Sequence, residues 1–151
     1  MSNTQWQEEV GEYIKGSKFA ILAYIREDGV PVLRSMGSFA PIGLDLYFST
    51  PQAAAKVKEI EKHKQVSFFF EHDNQTLPAW RSVLLIGEAA QVSKECELSK
   101  AVELLSNKSP KFKEKVANGE LTNTAVYKLK TREIEYLDWS KGPGTVQKIK
   151  L

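Results

Sequence analysis

Apolar residues recur along this chain at two different periods, and the changes between them mark out its elements. Trp6, Val10, Tyr13 and Ile14 fall at helical spacing, which predicts an amphipathic helix over residues 5–15. Thr4 and Gln7 match a capping box at its start, and Gly16 stops it. Residues 18–27 then carry FAILAYI between charges, apolar at consecutive positions. That predicts a strand covered on both faces, as in a barrel capped by helices. Asp28-Gly29 predicts a two-residue hairpin, with residues 30–39 as the return strand. Pro31 cannot donate to a ladder, so it belongs at the strand start or a sheet edge.

A turn at 41–43 leads to a strand over 44–49. Thr50 then reads as a helix N-cap and Pro51 as the first helical residue. Ala53, Ala54, Val57 and Ile60 make that helix's inner stripe, with His63 and Lys64 at its exit. VSFFF within 65–71 is a strong strand signal. A polar loop over 72–79 precedes the longest strand, 80–92, where Gly87 predicts a bulge or a close backbone approach. Ser93 caps a helix to about 105, and Ser109-Pro110 opens another to about 117. Lys108, Lys111, Lys113 and Lys115 read as a solvated face. Asn118-Gly119 stops that helix, strands follow at 125–129 and 134–139, and 139–151 reads as an irregular tail around Gly142-Pro143-Gly144.

Composition narrows the function classes. At 151 residues, with no repeat and no linker, the chain suits a single domain over 1–151. The 21 basic and 19 acidic residues leave +2, too balanced to argue for nucleic acid or an anionic membrane. No apolar run approaches the roughly 20 residues of a membrane span. The first ten residues lack a basic and an apolar signal region, and Cys96 stands alone, so the expectation is a cytoplasmic protein without an internal disulfide. His63, His72 and Cys96 have no ligand-like spacing, so no metal is expected. G-x-S-x-G, Walker A and G-x-G-x-x-G are all missing, so no catalytic residue is named.

The stretch 33–60, LRSMGSFAPIGLDLYFSTPQAAAKVKEI, carries the candidate chemistry. Arg34 and Ser35 lie within a strand, Ser49 and Thr50 at the entry to a helix, and Lys56 one to two turns into it. Hydroxyls, cations and unpaired N–H groups at a helix start together suit a phosphate. The plainer alternative is a simple cap beside two solvated cations.

Three segments, FAILAYIREDGVPVLRSM, LDLYFSTPQAAAKVKEIEKHKQVSFFF and RSVLLIGEAAQV, together with the element order, resemble the pyridoxamine 5′-phosphate oxidase-like superfamily. The resemblance is closest to its branch similar to general stress protein 26 and covers about residues 5 to 139. It implies a mainly β fold, a six-stranded antiparallel split β-barrel of the FMN-binding type with flanking helices. It also implies a homodimer with an FMN site at the interface, acting as an oxidoreductase on a small molecule or electron acceptor. Arg34, Ser35 and Met36 match residues that line the flavin ring and ribityl chain. Ser49, Thr50 and Lys56 match those that hold the phosphate. Trp80, Ser82 and Trp139 are placed toward the ring and the subunit interface. Three departures stand out. Ala54-Ala55 replaces the Ser-Arg that often precedes the lysine, and the oxidases proper have a glutamine at Ser82. The oxidases also carry an arginine-rich C-terminal segment, and this chain has no arginine after Arg132, so pyridoxamine phosphate oxidase activity itself is not expected. The alternatives are a module binding FMN, haem or another planar ligand without turnover, and a barrel that has lost its ligand.

Overall fold

The computed structural model describes residues 3–151. In chain order the elements are α1 (Asn3–Lys15), β1 (Ala20–Ile25), β2 (Pro31–Met36), β3 (Phe39–Ile42), β4 (Asp45–Pro51), α2 (Ala55–Lys62), β5 (Gln65–Phe70), β6 (Arg81–Gln91), α3 (Glu95–Lys108), α4 (Pro110–Ala117), β7 (Thr124–Asp138) and β8 (Val146–Lys150). The strands form one antiparallel sheet in the order β2-β1-β5-β6-β7-β4-β3, with β8 also on β7. The fold is the expected mainly β half-barrel flanked by helices, though its sheet has eight strands rather than six.

Curvature follows from connectivity. The two ends of the strand order, β2 and β3, are joined by Gly37 and Ser38 alone. A link of two residues spans at most about 10 Å, so the sheet must curl until its ends approach. The Ser49 N–H, donating to the Ser38 carbonyl at 3.1 Å, ties that closure to β4. Inside the curl lie Leu22, Phe48, Phe68, Phe70, Leu85 and Ile134, with α1 laying Trp6, Val10, Tyr13 and Ile14 against them. Each such side chain contributes roughly 1.5–3 kcal/mol through removal from water. A second cluster, including Tyr47, Leu105, Phe112 and Val126, packs α3 and α4 onto the outer face of β3 and β4.

Several local expectations are corrected by pairing across the sheet. The 125–129 and 134–139 strands are one 15-residue strand, because β6 runs alongside almost its whole length. Its other edge is shared between β4, from Thr124 to Leu129, and β8, from Glu133 to Leu137. The bulge expected at Gly87 lies where the partner changes, with the register shifting between Ile86 and Gly87. A Cβ at Gly87 would run into the Lys130 carbonyl. The irregular tail instead contains β8, returned by the turn at Gly142-Pro143-Gly144. The 30–39 strand breaks at Gly37-Ser38 into β2 and β3.

The hairpin after β1 has a three-residue loop rather than two. The Arg26 N–H donates to the Val30 carbonyl at 2.9 Å, and Gly29 takes the left-handed conformation at φ +86. The Arg26 guanidinium beside Asp28 holds its carboxyl down to about 2. β1 is not covered on both faces, since Ile21 is 42% exposed and neighbouring Leu33 on β2 is 62% exposed. The helix α1 starts at Asn3, ahead of the expected cap at Thr4, whose side chain lies outside those described. Ser93 does not cap α3, which begins after Lys94 without a side-chain cap. Ser109 does cap α4, accepting from the Phe112 N–H at 3.2 Å, with Pro110 in its first turn.

Candidate functional site

The barrel closure opens a cavity of about 670 Å³, within the roughly 300–1,000 Å³ of ordinary small-molecule sites. One wall is built from the ends of β2 and β4 and the start of α2. It brings together Ser35, Met36, Ser49, Thr50 and Lys56, five of the residues expected at a ligand site. The position of Thr50 differs from the expected N-cap. The ladder of β4 on β7 continues to Pro51 opposite Thr124, so Thr50 and Pro51 are strand residues. Helix α2 begins at Ala55 behind Ala54, with no side-chain cap, and its buried stripe is Val57 and Ile60 while Ala53 is exposed. Long-range pairing here overrides the local Thr-Pro signal.

Lys56 compensates for that shift by reaching back. Its Nζ donates to Thr50 Oγ1 at 2.9 Å, so α2 delivers a cation onto the end of β4. Burial lowers the Lys56 pKa, and the nearby Arg34 guanidinium lowers it further. Ser38 and Ser49 hydroxyls meet at 2.5 Å on the same wall. The result is an ammonium in partial burial, repelled by a second cation and surrounded by hydroxyls. An anion seated there would relieve the repulsion and accept several charge-assisted bonds. Arg34 itself is exposed on β2, donating to the Leu33 carbonyl at 2.9 Å.

The opposite wall was not expected from the sequence. Lys15 at the end of α1, Lys18 in the α1–β1 connection, Lys108 at the end of α3, and Lys111 and Lys115 on α4 all line the cavity. Three of the four lysines read as a solvated face are therefore site-lining, and Lys113 alone is not. Lys111 and Lys115 share a helix face at i, i+4 spacing, which was a signal available in the sequence. Lys108 lies 3.9 Å from the centre of the Phe39 ring and donates to the Ser17 carbonyl at 2.9 Å, and burial lowers its pKa. Phe19, Met36 and Phe112 supply apolar surface between the walls.

Trp80, Ser82 and Trp139 do not line this cavity. They sit together where β6 begins and β7 ends, the Trp139 N–H donating to the Trp80 carbonyl at 2.9 Å. The Trp80 indole donates to Glu71 at 3.0 Å, and Ser82 is buried opposite Leu137. His72 stacks on Tyr13 with ring centres 3.7 Å apart and bonds the Tyr13 carbonyl, and Cys96 is exposed.

The sequence profile of the pyridoxamine 5′-phosphate oxidase family matches residues 7–136, most of the chain. The chain belongs to this family. Among curated proteins, none matches its sequence. Several solved structures share the fold of this family member. A haem-binding protein from Mycobacterium smegmatis superposes with a TM-score of 0.79 at 15% identity, over 95% of this chain and 57% of that one. The chain thus spans little more than half the length of that protein. A Clostridium acetobutylicum protein related to general stress protein 26 gives 0.76 at 14% identity, covering 99% of this chain and 97% of its own. The haem storage protein of Vibrio cholerae gives 0.66 at 17% identity, over 83% and 89%. At these identities the likeness is one of fold. Among the described residues, no helix is long and apolar enough to cross a membrane.

Proposed function

We propose that the cavity binds FMN and that a homodimer of this chain is a flavin-dependent oxidoreductase acting on a small molecule. The observation that supports this reading is the Thr50–Lys56 corner, a half-buried ammonium beside hydroxyls with Arg34 close enough to depress its pKa. A phosphate monoester carries about −1.5 to −2 at neutral pH and fits that corner in charge and in donors. Ser49, Thr50 and Lys56 hold the phosphate in this proposal, and Ser35 and Met36 on β2 flank the ribityl chain and ring. When bound, the flavin supplies the electron or hydride transfer. The chain's part is to neutralise the phosphate, exclude water with Phe19, Met36 and Phe112, and orient the ring.

The dimer is supported by the exposed outer face of β1 and β2, where Ile21 and Leu33 stand in solvent beside Phe19, itself 63% exposed. Trp80, Ser82 and Trp139, remote from their own chain's cavity, are assigned to a neighbour's site in that dimer. The loss of the common Ser-Arg pair at Ala54-Ala55 leaves Lys56 as the helix's own contribution to the phosphate.

The absorption spectrum of the purified protein, with the mass of any released chromophore, tests the reading. Flavin bands and the mass of FMN support it, and bleaching by NADH or NADPH with reoxidation by an acceptor establishes turnover. A Soret band would replace it with the haem reading. That rival has fold neighbours named for haem, but among the described residues no histidine lines the cavity and His72 is held by Tyr13. A colourless protein that binds neither added flavin nor haem would identify a barrel without a cofactor.

A further inference from the structure

The cavity contains more positive charge than a single cofactor phosphate requires. Six of its lining residues are lysines, and none is Asp or Glu. Elsewhere on the molecule several cations have acidic partners: Lys62 with Glu27, Arg26 with Asp28, Arg132 with Glu88, and Lys128 with Glu97 and Asp45. Within the cavity, Lys15 reaches Glu12 at 3.7 Å, while no ion pair is recorded for Lys18, Lys56, Lys108, Lys111 or Lys115 among the described residues. A chain with nearly equal acid and base, +2 overall, has thus lined one concave surface with six lysines and no carboxylate.

The cations divide by wall. Lys56 belongs with Ser49 and Thr50 on the β4–α2 side. Lys108, Lys111 and Lys115 come from α3 and α4 on the other side, joined by Lys18. Phe112, buried in the satellite core, fixes α4 so that the flanking Lys111 and Lys115 project along one face. Five lysines without an acidic partner, less about two charges for a phosphate at the Lys56 corner, leave about three uncompensated.

We infer that Lys108, Lys111 and Lys115 form a second anion subsite, separate from the Lys56 corner, for a small substrate bearing two or more phosphate or carboxylate charges. The inference rests on the Lys56 corner being the cofactor-phosphate site. Lys108, packed on Phe39 and tied to the Ser17 carbonyl, is the fixed point of the subsite. Lys111 and Lys115 are the adjustable ones, exposed or half-buried at the rim. The substrate's apolar part then faces Phe19 and Met36, where a ring held from the opposite wall would also lie.

Calorimetric titration with inorganic pyrophosphate at low salt tests this, since exposed charges are least screened there. FMN-saturated protein should still bind pyrophosphate. Lys111→Gln/Lys115→Gln should weaken that binding about tenfold or more, the loss of at least one charge-assisted contact, while changing FMN affinity less than about threefold. Glutamine keeps the helix propensity of lysine, and circular dichroism checks that α4 is retained. Displacement of pyrophosphate by FMN, one for one, would overturn the subsite, as would equal pyrophosphate affinity in the double variant. A second arm needs no flavin. Pyrophosphate binding to Lys56→Gln protein should be lost when Lys111→Gln/Lys115→Gln is added, and its persistence would overturn the subsite. If FMN fails to bind the wild-type chain while this arm succeeds, the cofactor reading falls and the lysine wall stands.

Discussion

Removing the Lys56 ammonium should weaken FMN and spare riboflavin. Lys56 Nζ is 2.9 Å from Thr50 Oγ1 at the corner assigned to the phosphate. A hydrogen bond to a charged group is worth roughly 1.5–3 kcal/mol, so Lys56→Ala should cost about ten- to a hundredfold in FMN affinity. Riboflavin lacks the phosphate and should change by less than about twofold, under 0.5 kcal/mol. The unliganded fold should keep its melting temperature within about 4 °C, the size of a change near 1 kcal/mol in a chain this long. Burial and Arg34 already oppose the Lys56 charge, so its loss offsets part of the lost bond to Thr50. The same shift sets a pH dependence. A bound phosphate favours the protonated lysine, so FMN binding takes up protons as pH rises through the lowered pKa of the free protein. Affinity should therefore fall with rising alkaline pH, starting below the ordinary lysine value of 10.5, and Lys56→Ala should flatten that fall. Fluorescence titration of both flavins against both proteins is the assay. Equal losses for FMN and riboflavin would show that Lys56 acts through structure, and unchanged FMN affinity would move the phosphate elsewhere, with Arg34 next to be tested.

Light scattering should give about twice the 17.0 kDa chain mass, and a monomer at micromolar concentration would remove the shared-site dimer. Trp139→Ala should raise bound-flavin emission or loosen the flavin while the dimer persists; unchanged emission and affinity would leave Trp139 a support for Trp80, whose carbonyl it bonds. Gly87→Ala should cost more than about 3 kcal/mol or prevent folding, read from the urea midpoint, because the new Cβ meets the Lys130 backbone rather than a movable side chain. At Asp138 burial pushes the carboxyl up, but bonds from the Ser140 hydroxyl and N–H, with Lys141 and Arg81 nearby, outweigh it and hold the pKa low. Its contribution to stability is therefore complete above the ordinary value of 3.8 and lost as pH falls through the lower folded value, so Asp138→Asn should lower the urea midpoint at neutral pH and narrow the gap between neutral and acid midpoints.

Where local chemistry decides the structure, the sequence was a good guide. α1 follows from its apolar stripe, α4 from Ser109-Pro110, and β5 from VSFFF, because each signal lies within a few residues of its effect. The misreadings lie where distant strands decide. Residues 130–133, KTRE, interrupt the apolar pattern and divide it into two strands on the sequence, yet β6 and its bulge carry one strand through them. Thr50-Pro51 reads as the opening of a helix until β7 is seen to extend β4 past it. VQKIK is too short and polar to stand as a strand without the free half-edge of β7 beside it.

The candidate site divides in the same way. Ser35, Ser49, Thr50 and Lys56 were legible as cavity-lining candidates because they are near one another in the chain and carry hydroxyl and ammonium donors, while Met36 was named by resemblance alone. The lysines of α3 and α4 lie more than fifty residues further on, and a charge run on a helix ordinarily faces solvent. Only the packing of Phe112 and Leu105 against β4 turns that run toward the cavity. Trp80 and Trp139 were paired with the site by resemblance, and their distance from the cavity now makes the second subunit a requirement for that role.

A crystal structure of the protein grown with FMN tests the central claim most directly. The phosphate should lie within hydrogen-bond distance of Lys56 Nζ and Thr50 Oγ1, with the ring beside Met36 and the α4 lysines free of the phosphate. A phosphate seated instead on Lys108, Lys111 and Lys115, or a flavin bound outside this cavity, would contradict it.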